Sequence, residues 1–204
     1  MTGAVQNSKA IEFLRVAQAA GILRYKEGGF ELKSKRISPY FFNAGGFDNG
    51  YLLGLLAEEF ANLISVNFGD GEVLLGPPYK GIPLVSAIVP TLCEKRGLTM
   101  GWASWRKEVK DHGDGGLLLG ASLHGKKIVI IDDVMTSGTS CDEAVRIAKE
   151  NGGIPIGCAI VFDRQERDGK SKLSATKAFT ARHYIEIASI ASLADLISLY
   201  KQDS

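Results

Sequence analysis

The stretch "IVIIDDVMTSGTS", Ile128 to Ser140, decides how this chain is read. Four β-branched residues lead into two adjacent acids, and small hydroxyl residues follow around Gly138. Val129 to Ile131 predict a buried strand, and Ala144, Val145 and Ala148 recur at helical spacing between Thr139 and Asn151, so residues 132–140 form the turn from strand into helix. In that turn Thr136, Ser137, Gly138, Thr139 and Ser140 offer successive backbone N–H groups and hydroxyls at a helix N-terminus, where the positive end of the dipole favours a phosphate. Gly138 lets the backbone approach the anion closely. Asp132 and Asp133 each raise the cost of ionising the other, so their adjacency needs a reason. They are badly placed to hold a phosphate but well placed to accept hydrogen bonds from two neighbouring hydroxyls, each worth roughly 1.5 to 3 kcal/mol. A ribose 5-phosphate satisfies both halves of the turn.

The surrounding sequence repeats the same strand, turn, helix pattern. "EVLLG" leads into "PPYKG" and a helix from about Pro83; "LTMGWASW" leads into a long Gly-rich loop; "PIGCAIVFD" follows the helix that ends at Gly152 and Gly153. Apolar strands without polar alternation, alternating with helices, predict a mostly parallel α/β sheet covered on both faces, with ligands beyond the carboxyl ends of its strands. A first helix is expected from Ser8 to Ala20 on Ile11, Leu14 and Ala17, with Asn7 or Ser8 as N-cap and Gly21 as stop. A second is expected from about Tyr51 to Val66 on Leu52, Leu56, Phe60 and Leu63. Between them lie short strands or loops ending in Phe41 and Phe42. The C-terminal "HYIEIASIASLADLISLY" predicts a strand, then a helix capped by Ser192 with Asp195 three residues on.

Bulk properties exclude several classes. The 204 residues suit one domain. No apolar run reaches the roughly 18 to 20 residues that cross a bilayer, and "MTGAVQNSKAIEFLRVAQ" lacks the pattern of a secretory signal, so a cytoplasmic protein without membrane partners is expected. Cys93, Cys141 and Cys158 are odd in number and widely spaced, which argues against a disulfide framework or zinc ribbon. His112, His124 and His183 show no metal-ligand spacing. A net charge of +1 makes no case for nucleic acid. That leaves little room for a nucleic-acid-binding regulator built on the same turn. A phosphotransfer enzyme using Asp132 as nucleophile would want further converging acids that the sequence does not single out.

The turn resembles the phosphoribosyltransferase signature. With "LKSKRISPYFFNAGGFDNG", "LLGPPYKGIPL", "RKEVKDHGDGGLLLG" and "FDRQER" in order around it, nearly the full chain resembles the orotate phosphoribosyltransferases of the type I phosphoribosyltransferase family. The resemblance implies a mostly parallel central sheet flanked by helices, a core over roughly 48–163, and a small hood from roughly 1–47 with part of 164–204. It implies transfer of the 5-phosphoribosyl group from 5-phosphoribosyl 1-diphosphate (PRPP) to orotate, in pyrimidine biosynthesis. It further implies orotidine 5'-monophosphate and diphosphate as products, and Mg2+ held mainly by substrate and water with Asp133 as the residue that could contact it. The next pathway step is expected to belong to another polypeptide.

Residue by residue, the resemblance gives PRPP to Lys26, Tyr79, Lys80, Arg106, Lys107, Lys110 and His112, and to the turn Asp132, Asp133, Val134, Met135, Thr136, Ser137, Gly138, Thr139 and Ser140. Lys110, Asp132 and Asp133 are the expected catalytic residues. Gly113, Gly115 and Gly116 suit a lid that closes cations over a departing diphosphate and excludes water. Lys107 matches a position that reaches the neighbouring subunit, which implies a homodimer with shared active sites. Orotate, flat and carboxylated, wants an aromatic wall and a guanidinium fork: Phe41 and Phe42 for the wall and main-chain contacts, one of the two rings being core, Arg164 for the fork, and Thr136 as a further contact. Lys35 stands where the family often has glycine. Cys141, at the helix start, is read as a packing residue despite a position that can depress a thiol pKa.

Overall fold

A computed structural model describes the backbone of residues 3–31, 37–110, 116–135, 138–167 and 173–202, and the side chains of these except 3–7, 107–110 and 116. In chain order the elements are α1 (Gly3–Ala19), β1 (Leu23–Glu31), β2 (Ile37–Phe42), α2 (Gly50–Asn67), β3 (Val73–Leu75), α3 (Gly81–Arg96), β4 (Gly101–Lys110), β5 (Gly116–Gly120), β6 (Lys127–Met135), α4 (Thr139–Glu150), β7 (Ile154–Asp163), α5 (Ala175–His183), β8 (Glu186–Ser192) and α6 (Leu193–Gln202). Among the described residues no helix is long and apolar enough to cross a membrane.

Six strands form one sheet in the order β5-β4-β3-β6-β7-β8, all parallel except the β4–β5 edge. Ile128 to Ile131 are fully buried because helices cover both faces. Their unbroken β-branched run is what such a strand needs. One apolar layer packs α1, α2 and α3 on the sheet through Leu14, Phe60, Ile64 and Ile88; the other packs α4 and α5 through Val145, Ile147 and Phe179. A separate two-stranded sheet, β1–β2, sits on the first layer through Tyr40 and Phe42.

The order of strands fixes where a ligand can enter. From β3 the chain steps outward to β4 and β5, then returns to the other side of β3 as β6 and continues outward to β7 and β8. The turns after β3 and β6 therefore diverge and leave a crevice beyond their carboxyl ends.

Several local expectations shift. The first helix begins at Gly3, so Asn7 and Ser8 lie inside it and do not cap it, while Gly21 ends it with φ 71° as expected. α2 starts one residue early because Asn49, through its side-chain oxygen, accepts from the N–H groups of Tyr51 and Leu52. The Ser192–Asp195 capping box is present, with Ser192 N and Oγ donating to Asp195 Oδ2 at 2.9 and 2.6 Å. The segment expected as a long loop after Trp105 instead carries strand as far as Lys110, paired with β5 through Trp105–Leu118 and Lys110–Gly116. Its pairing with β3 stops at Ala103, so from there β4 and β5 run past the sheet as a two-stranded ribbon.

Candidate active site

The two turns flanking the crevice are built differently. Residues 76–81 close on themselves: a Cβ on Gly76 would lie 2.4 Å from the Gly81 carbonyl oxygen, and one on Gly81 would lie 2.5 Å from the Gly76 carbonyl carbon. No side chain fits at either position. The Ser104 hydroxyl donates to the Gly76 carbonyl at 2.7 Å, which ties this turn to β4. The Pro78–Tyr79 peptide bond is cis. The turn presents Tyr79 and Lys80 outward, and Lys80 Nζ crosses the crevice to Asp133 Oδ2 at 2.6 Å.

On the other side, Asp132 is buried and Asp133 is 14% exposed along its side chain. Asp132 Oδ1 accepts from the Asp133 N–H at 2.9 Å, and Asp133 Oδ1 accepts from the Val134 N–H at 2.7 Å. Both carboxylates are thus held by the backbone of the turn itself. Burial, then the neighbouring Asp133 charge, pushes the Asp132 carboxyl up to about 6; the Asp133 N–H, the Ser140 hydroxyl and the Cys141 thiol pull the other way. Gly138 has φ 80°, the left-handed conformation that lets strand turn into helix at Thr139. Met135 points into the core rather than the crevice, leaving its backbone as what it can offer a ligand. Thr136 and Ser137 lie outside the described residues.

Cys141 resolves the question of its reactivity. Its sulfur lies 3.5 Å from the Cys158 sulfur and 3.6 Å from Asp132 Oδ2, deep in the core. The hydrogen bond with Cys158, together with burial, raises its thiol pKa well above the ordinary value. It packs and supports Asp132, and it is no nucleophile.

Arg164 stands one residue past the Met135–Asp163 register pair, at the carboxyl end of β7 beside the end of β6. It is buried, with Nε donating to Glu166 Oε1 at 2.8 Å and its Cζ 5.1 Å over the Tyr40 ring. Its Nη2 is buried without a hydrogen-bond partner among the described residues. Such a donor costs about 1 to 3 kcal/mol or more unless something beyond the described residues meets it. Of the two phenylalanines, Phe42 is the packing residue: it stacks on Phe162 at 5.0 Å and 10°, and its ring cannot be a wall. Strand alternation turns the Phe41 ring the other way, against Phe30 at 5.8 Å and below Arg24 at 5.3 Å. The aromatic beside Arg164 is Tyr40, which the sequence did not single out; its place two residues before Phe42 on one strand face is the signal that was there.

Lys26 is exposed on β1, one residue past the Tyr25–Tyr40 pair. Arg106 and Ser140 meet across a cavity of about 310 Å³ between the ribbon and α4, lined also by Pro77, Pro78 and Trp105. The side chains of Lys107 and Lys110 and all of His112 lie outside the described residues. Among the described residues no three His, Cys, Asp or Glu side chains converge to hold a metal. Asp133 could donate one oxygen, which fits a divalent ion coordinated largely by substrate and water.

Comparison with known proteins follows the same lines. Residues 54–193 match the phosphoribosyl transferase domain family. The chain is 46% identical to orotate phosphoribosyltransferase of Thioalkalivibrio sulfidiphilus over 191 residues, covering 94% of this chain and 88% of that one. It is 42% identical to the same enzyme of Dichelobacter nodosus, covering 93% and 86%. A crystal structure of orotate phosphoribosyltransferase from Francisella tularensis superposes with a TM-score of 0.84 at 38% identity, over 94% of this chain and 90% of that one. With its switch-point crevice, its paired acids and these relatives, the chain belongs to the phosphoribosyltransferases and, among them, to the orotate phosphoribosyltransferase family.

Proposed function

We propose that the chain moves the phosphoribosyl group of PRPP onto orotate within the crevice between β3 and β6, with the donor on the two turns and the acceptor against Arg164. The observation that carries the acceptor is the buried, unpartnered Nη2 of Arg164: a planar carboxylate would satisfy it. A neutral purine would not. Tyr40 braces the guanidinium, and the main chain of Phe41 and Phe42 borders the ring.

Breaking the anomeric C–O bond leaves positive charge on the sugar and negative charge on the departing diphosphate. Asp132 and Asp133 accept the ribose hydroxyls and lie on the side where the cation develops, while residues 136–140 hold the 5-phosphate. Lys80 is 65% exposed, so its ion pair with Asp133 costs little to exchange for diphosphate oxygens. Arg106, Lys110, His112 and Lys26 complete the cationic surround, and Tyr79 adds a neutral phenol hydroxyl that can hydrogen-bond the diphosphate. Bound Mg2+, contacted by Asp133, would neutralise diphosphate charge. The ribbon that carries Arg106 to Lys110 past the sheet edge is the element that would close over the donor and exclude water.

Lys107 acts in a neighbouring subunit's site, which makes the working form a homodimer, in the cytoplasm. Mixing Lys107→Ala chains with Asp132→Asn chains should therefore restore part of the activity lost in each; verified heterodimers without rescue contradict sharing. The reaction itself is tested by following orotate absorbance with PRPP and Mg2+. Orotate should be consumed, with hypoxanthine, adenine and uracil left unchanged; purine turnover would overturn the assignment of Arg164.

A further inference from the structure

Asp142 poses an electrostatic problem. It stands in the first turn of α4, and its N–H donates to the Gly138 carbonyl at 2.8 Å, so a full negative charge lies beside the loop proposed to take a phosphate. An acid there stabilises the helix, but it repels a dianion arriving at the same terminus. The answer comes from α5. Arg182 Nη2 lies 3.0 and 3.1 Å from the two Asp142 oxygens, and His183 Nε2 lies 2.7 Å from Oδ1. The His183 ring packs on the fully buried Phe179 at 4.7 Å, so this end of α5 is anchored in the core.

The guanidinium also stands over the glycine of the loop. Arg182 Nη2 lies 3.4 Å from where a Cβ on Gly138 would stand. One cation thus covers the glycine of the phosphate loop and the acid that would oppose phosphate there. We infer that Arg182 is a positioning residue for donor binding: held on Asp142, it cancels that charge at the α4 N-terminus and so sets the phosphate affinity of the loop. This rests on the placement of the 5-phosphate in residues 136–140.

Ribose 5-phosphate is the suitable probe because it needs neither metal nor acceptor. At low ionic strength Arg182→Gln should raise its Kd about five- to tenfold, and the ratio to wild type should shrink as salt is added. Asp142→Asn in the same chain should return the Kd to within about twofold of wild type, and Arg182→Lys should keep most of the affinity because the charge remains. Should Arg182→Gln fail to fold, Asp142→Asn alone decides: it should tighten binding about two- to threefold. An unchanged Kd in Arg182→Gln, a loss that Asp142→Asn does not rescue, a loss indifferent to salt, or an Asp142→Asn chain that binds no tighter overturns the inference. Wild-type protein that binds no ribose 5-phosphate overturns the phosphate site and the inference with it. Failure of orotate turnover alone touches only the acceptor.

Discussion

The two edges of the central sheet treat charge in opposite ways. At the amino edge the charges around the start of β6 are paired with one another: Lys126 meets Glu72 at 2.8 Å, Lys127 meets Asp70 at 2.7 Å, and Glu72 Oε2 also accepts from the Lys127 N–H at 3.0 Å. The hydrogen bonds from these lysines hold Asp70 and Glu72 below the usual carboxylate range. At the carboxyl edge two acids stand side by side, one of them buried and pushed up to about 6, and a buried guanidinium keeps a nitrogen unpartnered among the described residues. The first arrangement is complete without a ligand. In the reading proposed above the second is complete only with one, and that difference would separate folding charge from functional charge in a single sheet.

If the contrast is sound, removing carboxyl-edge charge should cost activity and spare stability. The largest effect belongs to Asp132→Asn with Asp133→Asn: two charge-assisted bonds to the ribose disappear, and kcat/KM for PRPP should fall by about two to four orders of magnitude. Near-normal donor kinetics in this double variant would refute the role of the acids. Arg164→Met comes next. It should lower kcat/KM for orotate by about 30- to 1000-fold and change the KM for PRPP little, because only the acceptor's carboxylate loses its fork. Its thermal midpoint should move by no more than a few degrees, since the unpartnered nitrogen goes together with the bond to Glu166 and the two changes oppose each other.

Asp132 alone tests the same contrast through pH. Its folded pKa of about 6 lies above the usual 3.8, so the folded state binds the proton more tightly than the unfolded chain does. Wild-type stability from this group is complete below about pH 4 and is lost as pH rises through 6. Asp132→Asn should therefore be more stable than wild type at pH 7.5, by up to about 3 kcal/mol, with the gap closing towards pH 4. Thermal melts at the two pH values check it, and a variant less stable at pH 7.5 would contradict it. The smallest effect belongs to the amino edge: Lys127→Gln should shift the midpoint by no more than about a degree and leave turnover unchanged, because exposed ion pairs contribute little.

The same contrast explains what was legible in the sequence. The proposed donor half is local: strand, acids, glycine and helix follow one another from Ile128 to Ser140, so periodicity and turn chemistry read it directly. The β4–β5 ribbon was hidden because "WRKEVKDHGDGG" has the composition of a loop, and only pairing with "GLLLG" makes it strand. Arg164 was legible through resemblance, yet its burial depends on Tyr40 from a different sheet. The Arg182–Asp142 pair joins positions 40 residues apart, on a helix whose "ATKAFTARH" carries a weak apolar pattern, and no local signal announces it. Phe41 and Phe42 show the limit from the other side. Adjacent rings must face opposite ways on a strand, and which one meets the core is decided by Phe162.

The central claim is that the carboxyl edge is unfinished without substrate and that one sugar ester and one carboxylate complete it. The most direct measurement is a crystal structure of the protein with ribose 5-phosphate and orotate. Ribose hydroxyls should lie on Asp132 and Asp133, the 5-phosphate within 136–140, and the orotate carboxylate on Arg164 Nη2. A sugar bound elsewhere, or an Arg164 nitrogen still unpartnered with orotate in place, would contradict it.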